Sequence, residues 1–185
     1  MPELPDVEIF RRYMKNTSMR KSIEKVEVND SRIIDGVEDK ELDKSLRGRS
    51  FTASVRRGKY LLAETDSGPA VHFHFGMTGY FEYMKKAGNG RNHDRVVFVF
   101  ENGYRLIYVC SRLLGGVGLT ENERSLAEEK NIGPDALKLY REKFGGLLKS
   151  KNGRLKPALM DQSLMAGIGN IYSDEILFQA GFFPS

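Results

Sequence analysis

The second residue of the chain has the chemistry of a nucleophile. Removal of Met1 would leave Pro2 as a free secondary amine. Such an amine adds to an aldehyde carbon and loses water to give an iminium ion, which acidifies the neighbouring carbon. The simpler interpretation of a Met-Pro start is that Pro2 merely begins the chain, and these two residues alone favour that interpretation.

The three histidines are the next candidates. His72 and His74 are two residues apart and would share one face of a strand. No cluster of carboxylates or cysteines accompanies them to complete a metal site, and Cys110 is the single cysteine. The sequence therefore predicts no metal site, and a single cysteine excludes an intramolecular disulfide.

The positive charge of the chain is clustered. The net charge is +4, and basic residues gather near glycines at 56–59, at Arg91 and Arg95, and at Lys149, Lys151, Arg154 and Lys156. Loops that bind phosphate have this composition, but solvated surface charge explains each cluster equally well. No apolar run approaches the roughly 20 residues of a membrane helix, and the acidic start is unlike a secretion signal. We expect a cytoplasmic protein.

The elements that position these residues divide into a strand-rich part and a helical part. Pro5 suits the first turn of a helix, and Val7, Phe10 and Met14 give that helix an apolar stripe. From residue 23 to residue 108 the apolar residues alternate, which predicts a β-rich sandwich or barrel. The predicted strands are Ile23–Val28, Phe51–Val55, Tyr60–Glu64, Ala70–Phe75, Tyr80–Met84, Val96–Phe100 and Tyr104–Tyr108, and a short helix is predicted at Glu38–Leu46.

Helical composition begins after a glycine-rich stretch at 115–118. Helices are predicted over 120–129, 134–144, 144–149 and 171–180, and Thr120 with Glu123 has the spacing of a capping box. Asn102-Gly103 predicts a tight hairpin between the last two strands. The composition change places a domain boundary in the glycine-rich stretch, which gives domains 1–116 and 117–185.

Seven segments resemble the formamidopyrimidine-DNA glycosylase/endonuclease VIII family. They follow the family's order over nearly the whole chain, and the most specific are the two that resemble its helix–two-turn–helix motif. The segments are Pro2-Glu3-Leu4-Pro5-Asp6-Val7-Glu8, Arg57-Gly58-Lys59-Tyr60-Leu61-Leu62, His74-Phe75-Gly76-Met77-Thr78-Gly79, His93-Asp94-Arg95-Val96, Gly133-Pro134, Lys156-Pro157-Ala158-Leu159-Met160-Asp161, and Gly167-Ile168-Gly169-Asn170-Ile171-Tyr172-Ser173-Asp174-Glu175.

The resemblance implies an α+β fold and a reaction. The fold is an N-terminal β-sandwich led by a helix, followed by an incomplete helix–two-turn–helix domain. The activity is that of a bifunctional DNA glycosylase and AP lyase, which removes oxidised bases through an iminium at the terminal proline and cleaves the strand by β- and δ-elimination. The partner is damaged double-stranded DNA, and we expect a monomer associated with the nucleoid.

The resemblance also implies roles for individual residues. Pro2 is the nucleophile, Glu3 the general acid/base, and Lys59 a cation beside the phosphate of the damaged nucleotide. Each of these two residues also has a purely structural interpretation. Glu3 could be an acid that stabilises the start of a helix, and Lys59 could be a solvated lysine in a hairpin.

The other implied roles concern DNA binding. Met77, Arg112 and Leu114 fill the space that a flipped nucleotide leaves. Met77 taken alone would be interpreted as a core methionine, but the flanking Gly76 and Gly79 indicate a loop tip. The remaining predicted DNA contacts are His74, His93, Lys156 and Asn170. His74 and His93 could instead be structural, and Asn170 could bind phosphate at a helix start, simply cap the helix, or do both.

The chain also departs from the family pattern. Cys110-Ser111-Arg112-Leu113-Leu114-Gly115 stands where the family has Asp-Pro-Arg-Arg-Phe-Gly, Asp6 stands where glutamate is common, and Phe183 replaces a frequent histidine. The resemblance places a four-cysteine zinc finger beyond residue 185, so we expect no cofactor in this chain. Two other functions stay open: a non-catalytic DNA-binding remnant of the fold, and a proline-based tautomerase, which the helix–two-turn–helix segment disfavours.

Overall fold

The first 120 residues form two β-sheets that pack face to face. The structure is a computed structural model and describes residues 1–85, 91–149 and 153–182. The elements of this part are α1 Leu4–Thr17, β1 Ile23–Val28, β2 Ile34–Asp35, α2 Asp39–Leu46, β3 Phe51–Arg57, β4 Tyr60–Thr65, β5 Ala70–His74, β6 Tyr80–Lys85, β7 Asp94–Phe100, β8 Tyr104–Val109 and β9 Gly116–Thr120. One sheet has the order β1-β7-β8-β6 and the other β2-β9-β5-β4-β3.

An aromatic core lies between the two sheets. Phe73 and Phe98 come from opposite sheets, and their ring centroids are 5.8 Å apart. Phe81 contacts Phe73 edge to face at 4.9 Å, which is the geometry that aromatic quadrupoles favour. Helix α1 adds Val7 and Met14, both fully buried, to the same core. The apolar stripe of α1 thus fixes the helix against the sandwich, and its N-terminus carries Pro2 and Glu3.

The chain after the sandwich is helical. Its elements are α3 Glu123–Glu129, a 3-10 turn at Ala136–Lys138, α4 Arg141–Lys149, α5 Leu155–Met160 and α6 Asn170–Gln179. A second apolar cluster, which includes Leu159, Met165 and Leu177, joins α5 and α6. Among the described residues, no helix is both long and apolar enough to cross a membrane.

The predicted α+β fold, with a sandwich led by a helix, is confirmed. All seven predicted strands are present with ends that differ by at most two residues, and Gly103, with φ of +80°, makes the predicted hairpin turn. Lys151 and Phe183, which the sequence singled out, lie outside the described residues.

Two predictions about the helices are wrong. The α3 helix begins later than predicted, because Asn122 caps it through hydrogen bonds from the backbone N–H groups of Arg124 and Ser125, so Thr120 and Glu123 form no capping box. The helix predicted over 134–144 is also much shorter than predicted, because only its last residues, from Arg141, are α-helical. Earlier in this segment, Pro134 and Ala136 exchange backbone hydrogen bonds with Ala166, and the 3-10 turn at Ala136–Lys138 follows before α4 begins.

The glycine-rich stretch is a strand rather than a linker. Strand β9 pairs with β5 along its length, from His74 opposite Gly116 to Ala70 opposite Thr120. Glycine is required at position 118, because a Cβ there would overlap the backbone oxygen of Asp35. The boundary predicted at 116/117 stays a prediction, but the sheet continues to Thr120 beyond it.

Candidate active site

The carboxylate of Glu3 lies at the junction between the sandwich and α6. Its Oε2 accepts hydrogen bonds from the backbone N–H of Gly169 at 2.7 Å and of Tyr172 at 3.3 Å, and its Oε1 accepts one from Ile171 at 2.8 Å. Glu3 is 2% exposed. The N-terminus of a helix attracts negative charge, so this carboxylate stabilises the docking of α1 on α6.

Two glycines make this close approach possible. A Cβ at Gly169 would overlap the carboxylate of Glu3, and one at Gly167 would lie 2.6 Å from Cδ1 of Leu4. Gly167 also has φ of +118°, which glycine adopts without strain. Next to them, the backbone N–H of Leu4 donates to the carbonyl of Gly167 at 3.0 Å. The Gly-Ile-Gly sequence therefore brings the acid of one domain onto the helix of the other.

A hydrogen bond within the first turn of α1 fixes the N-terminus of this helix. The backbone N–H of Glu3 donates to Oδ2 of Asp6 at 2.8 Å. The shorter acid at this position, where glutamate is common in the family, therefore still reaches the helix start. Pro2, the residue before Glu3, is half-buried beside this contact.

Lys59 is buried in the turn between β3 and β4. It is 7% exposed, so the alternative of a solvated hairpin lysine is wrong. Burial lowers the pKa of Lys59 below its usual value, and the negative charge of Glu3 partly offsets this effect. The structure thus places the ammonium group of Lys59 within the electrostatic reach of Glu3.

A buried ion pair fastens the Lys59 turn to the helical domain. Arg56 donates to both oxygens of Asp135, at 2.5 and 3.1 Å, and Asp135 also accepts from the backbone N–H of Gly58 at 2.9 Å. Burial acts to raise the pKa of Asp135, but the hydrogen bonds from Arg56 and Gly58 outweigh it and hold the pKa below its usual value. No spacing in the sequence predicts this contact.

The second arginine of this basic cluster also points at the helical domain. The Nε of Arg57 donates to the carbonyl of Gly133 at 3.0 Å. Arg56 and Arg57 are therefore engaged by protein, so neither the phosphate interpretation nor the solvated one describes them.

Met77, Arg112 and Leu114 meet on one exposed surface. Met77 is 43% exposed and Leu114 56%, so Met77 is no core methionine. Nη1 of Arg112 lies 3.7 Å from Sδ of Met77. Thr78 joins the two turns, because its Oγ1 lies within hydrogen-bond distance of Oγ of Ser111, at 2.9 Å, and of the backbone nitrogen of Arg112, at 3.3 Å. We call this pair of turns, residues 76–79 and 110–115, the wedge surface.

His74 and His93 have different surroundings. The ring of His74 is half-buried and lies 4.8 Å from the ring of Tyr60. Burial lowers the pKa of His74, and the charge of Lys59 lowers it further. His93 is exposed, and its Nδ1 lies 3.3 Å from Nη2 of Arg95.

His72 is part of a buried network. Its Nε2 lies 3.2 Å from Oδ2 of Asp35, and Asp35 also contacts Nζ of Lys130 at 2.8 Å. Within the described parts of the chain, no group of three or more histidine, cysteine or acidic side chains is arranged to hold a metal ion.

Lys156 and Asn170 lie on α5 and α6. Nζ of Lys156 pairs with Oδ1 of Asp174 at 2.6 Å. Asn170 is the first residue of α6, and the N-cap is Gly169, so simple capping does not describe Asn170. Its exposed amide has no hydrogen-bond partner among the residues that the structure describes. The backbone N–H groups of Ile171 and Tyr172, which follow Asn170 at the start of α6, donate to the carboxylate of Glu3.

Known proteins are similar to this chain in sequence. A model described as the formamidopyrimidine-DNA glycosylase N-terminal domain matches residues 1–117, and a model of the H2TH domain of the same enzyme matches residues 132–185. The formamidopyrimidine-DNA glycosylase of Desulfitobacterium hafniense is 34% identical over 188 residues, which cover the whole chain and 68% of that protein. The Synechocystis enzyme is 37% identical over 198 residues, which cover the whole chain and 69% of it.

Solved structures agree with these matches. The wild-type Lactococcus lactis Fpg (MutM), in complex with DNA that contains N7-benzyl-Fapy-dG, is similar with a TM-score of 0.90 and 30% identity, over 99% of this chain and 69% of that one. A MutM structure with carbocyclic 8-oxo-G DNA gives a TM-score of 0.88 and 31% identity, over 97% of this chain and 68% of that one.

The fold and its junction define a two-domain protein in which a β-sandwich is joined to a helix–two-turn–helix domain. The chain belongs to the formamidopyrimidine-DNA glycosylase family, whose members are DNA glycosylases of base-excision repair. The resemblance found in the sequence is confirmed.

Proposed function

We propose that this chain binds damaged duplex DNA, excises oxidised bases and cleaves the strand through an iminium on Pro2. The observation that carries the proposal is the junction where Glu3, next to Pro2, is held by three backbone N–H groups of the other domain. Such fixed geometry is what acid–base and nucleophilic catalysis require. The DNA-bound structures of similar proteins support the choice of partner.

The proposed reaction uses only groups of this chain and water. The nitrogen of Pro2 attacks C1′ of the damaged nucleotide, the C1′–N bond to the base breaks, and the base leaves with a proton. The sugar ring opens with proton transfer by Glu3, which leaves an iminium between Pro2 and C1′. Loss of a C2′ proton then expels the 3′ phosphate, a second elimination expels the 5′ phosphate, and water releases Pro2.

The wedge surface has the shape for the DNA side of this reaction. A base inside a duplex is out of reach, and flipping it out costs a few kcal/mol. Met77 and Leu114 project into solvent beside the guanidinium of Arg112. Apolar side chains of this kind insert into base steps and replace lost stacking.

Three duplexes test the proposal. One carries an oxidised base, one a natural abasic site, and one a tetrahydrofuran analogue that has no aldehyde. Protein with Met1 removed should cleave at the oxidised base and at the abasic site, but not at the analogue, because the analogue cannot form an iminium. Binding to all three without cleavage would favour the non-catalytic DNA-binding alternative.

The proposed phosphate contacts of Lys59 and Asn170 predict how each residue affects DNA affinity and its dependence on salt. Lys59→Ala should weaken binding to DNA of any sequence and flatten the plot of log affinity against log salt by roughly one unit, because one cation no longer displaces counterions. Asn170→Ala removes an uncharged donor and should lower affinity with little change of slope. Fluorescence anisotropy across a salt series measures both. A loss that depends on DNA sequence would contradict backbone recognition.

A further inference from the structure

Arg95 makes an unusual number of contacts beneath the wedge surface. It is the second residue of β7, and its side chain is 13% exposed. Its Nε donates to the carbonyl of Cys110 at 2.7 Å, and its Nη2 reaches that of Ser111 at 3.5 Å. Its Nη1 pairs with Oδ2 of Asp30 at 3.1 Å. One guanidinium thus ties the strand to the two residues that lead into Arg112.

The same guanidinium determines which nitrogen of His93 carries the proton. Nη2 of Arg95 lies 3.3 Å from Nδ1 of His93. An arginine can only donate hydrogen bonds, so Nδ1 must be the acceptor and the proton of the neutral ring must lie on Nε2. His93 is exposed, and its N–H donor is therefore available to an acceptor outside the protein.

We propose that Arg95 is a positioning residue: it sets the wedge surface for DNA and fixes the orientation and tautomer of His93, which the family resemblance already assigned to DNA binding. The proposal rests on the proposed function for its ligand. Cys110 and Ser111 come directly before Arg112, and Ser111 is also hydrogen-bonded to Thr78 on the other turn. Without the guanidinium, both carbonyls and the His93 ring lose the group that orients them.

The chain offers a matched control in Arg32. Its Nη2 and Nε also pair with Asp30, at 2.8 and 2.9 Å, but no hydrogen bond or ion pair joins it to residues 110–115 among those described. Arg32→Met and Arg95→Met remove the same charge and the same kind of contact to Asp30. They differ in the contacts to His93, Cys110 and Ser111, and in burial, since the side chain of Arg32 is 74% exposed and that of Arg95 13%.

The first test needs no DNA. The ¹⁵N spectrum of the His93 ring should show a single tautomer, with the proton on Nε2, in the unchanged protein and in Arg32→Met. In Arg95→Met the ring should exchange between both tautomers. An identical spectrum in all three proteins would overturn the assignment, whether or not the protein proves to be a glycosylase.

The second test is binding to a duplex with a tetrahydrofuran abasic analogue. Arg95→Met should lower affinity roughly tenfold, as expected for a lost charge-assisted hydrogen-bond network, and Arg32→Met at most about twofold. On a His93→Ala background, Arg95→Met should have a smaller effect than alone, because the two residues act together. Equal losses from both arginine variants, or full additivity with His93→Ala, would contradict the proposal. If Arg95→Met does not fold, Arg95→Lys takes its place in the binding test, because one ammonium cannot reach acceptors on both sides.

Discussion

Glu3→Gln should abolish excision of an oxidised base, with a loss of at least about 10²-fold, while binding to DNA stays within a few-fold. The variant keeps the size of the side chain but cannot transfer a proton. Single-turnover excision from a duplex with an oxidised base measures the loss. Unchanged excision would return Glu3 to the role of a helix-end acid.

The structure adds a second effect of the same change. Both oxygens of Glu3 accept backbone N–H groups, and glutamine would turn an N–H₂ donor toward one of them. Leaving such a buried donor unpaired costs about 1–3 kcal/mol, so the melting temperature should fall by roughly 2–10 °C. The catalytic loss must therefore be separated from a loss of docking.

The variant Gly169→Ala separates the loss of catalysis from the loss of docking. Its added Cβ would overlap the Glu3 carboxylate, so it disturbs the docking while the acid remains. Gly146→Ala, on α4, is the control, because no atom lies within 4 Å of its added Cβ. We expect Gly169→Ala to lower stability with partial excision, and Gly146→Ala to leave both unchanged or slightly improved. Equal excision by Glu3→Gln and Gly169→Ala would assign the whole effect to docking.

The strands were predictable because their signal is local. Alternating apolar residues and the Asn102-Gly103 turn each fix a strand or a hairpin without reference to distant residues. Strand β9 was not predictable in this way. Its glycines indicated a flexible boundary between domains. Gly118 is required because the backbone of Asp35, on another strand, lies against it. A single sequence does not show such a contact.

In the candidate site, too, local patterns were predictable and contacts between distant residues were not. The motifs singled out Glu3, Lys59 and Met77 as candidates, because each belongs to a short ordered pattern. The pairing of Arg56 with Asp135, 79 positions apart, follows no spacing rule. The arginine was predicted to face phosphate or solvent, since a cluster of like charges does not state which of its members finds a buried acid. The capture of the α6 N-terminus by Glu3 joins residues 168 positions apart and was equally hidden.

Removal of Met1 should decide whether the chain has a nucleophile at all. In the form that retains Met1, the nitrogen of Pro2 is part of an amide, whose lone pair is delocalised and cannot attack C1′. In the form without Met1 it is a secondary amine. Borohydride reduction in the presence of abasic DNA should therefore trap a covalent adduct with the second form and none with the first.

Peptide mapping of that adduct gives the residue. The label should lie on Pro2, which the hydrogen bond from Glu3 to Asp6 holds beside the junction, and Lys59→Ala should still form the adduct. Lysine amines can also form reducible adducts with aldehydes, and burial lowers the pKa of Lys59, so Lys59 is a rival to exclude. Equal yield from the form that retains Met1, or a label on Lys59, would assign the chemistry to another amine. If the adduct maps to Pro2 and is not formed when Met1 is retained, the terminal proline is the nucleophile.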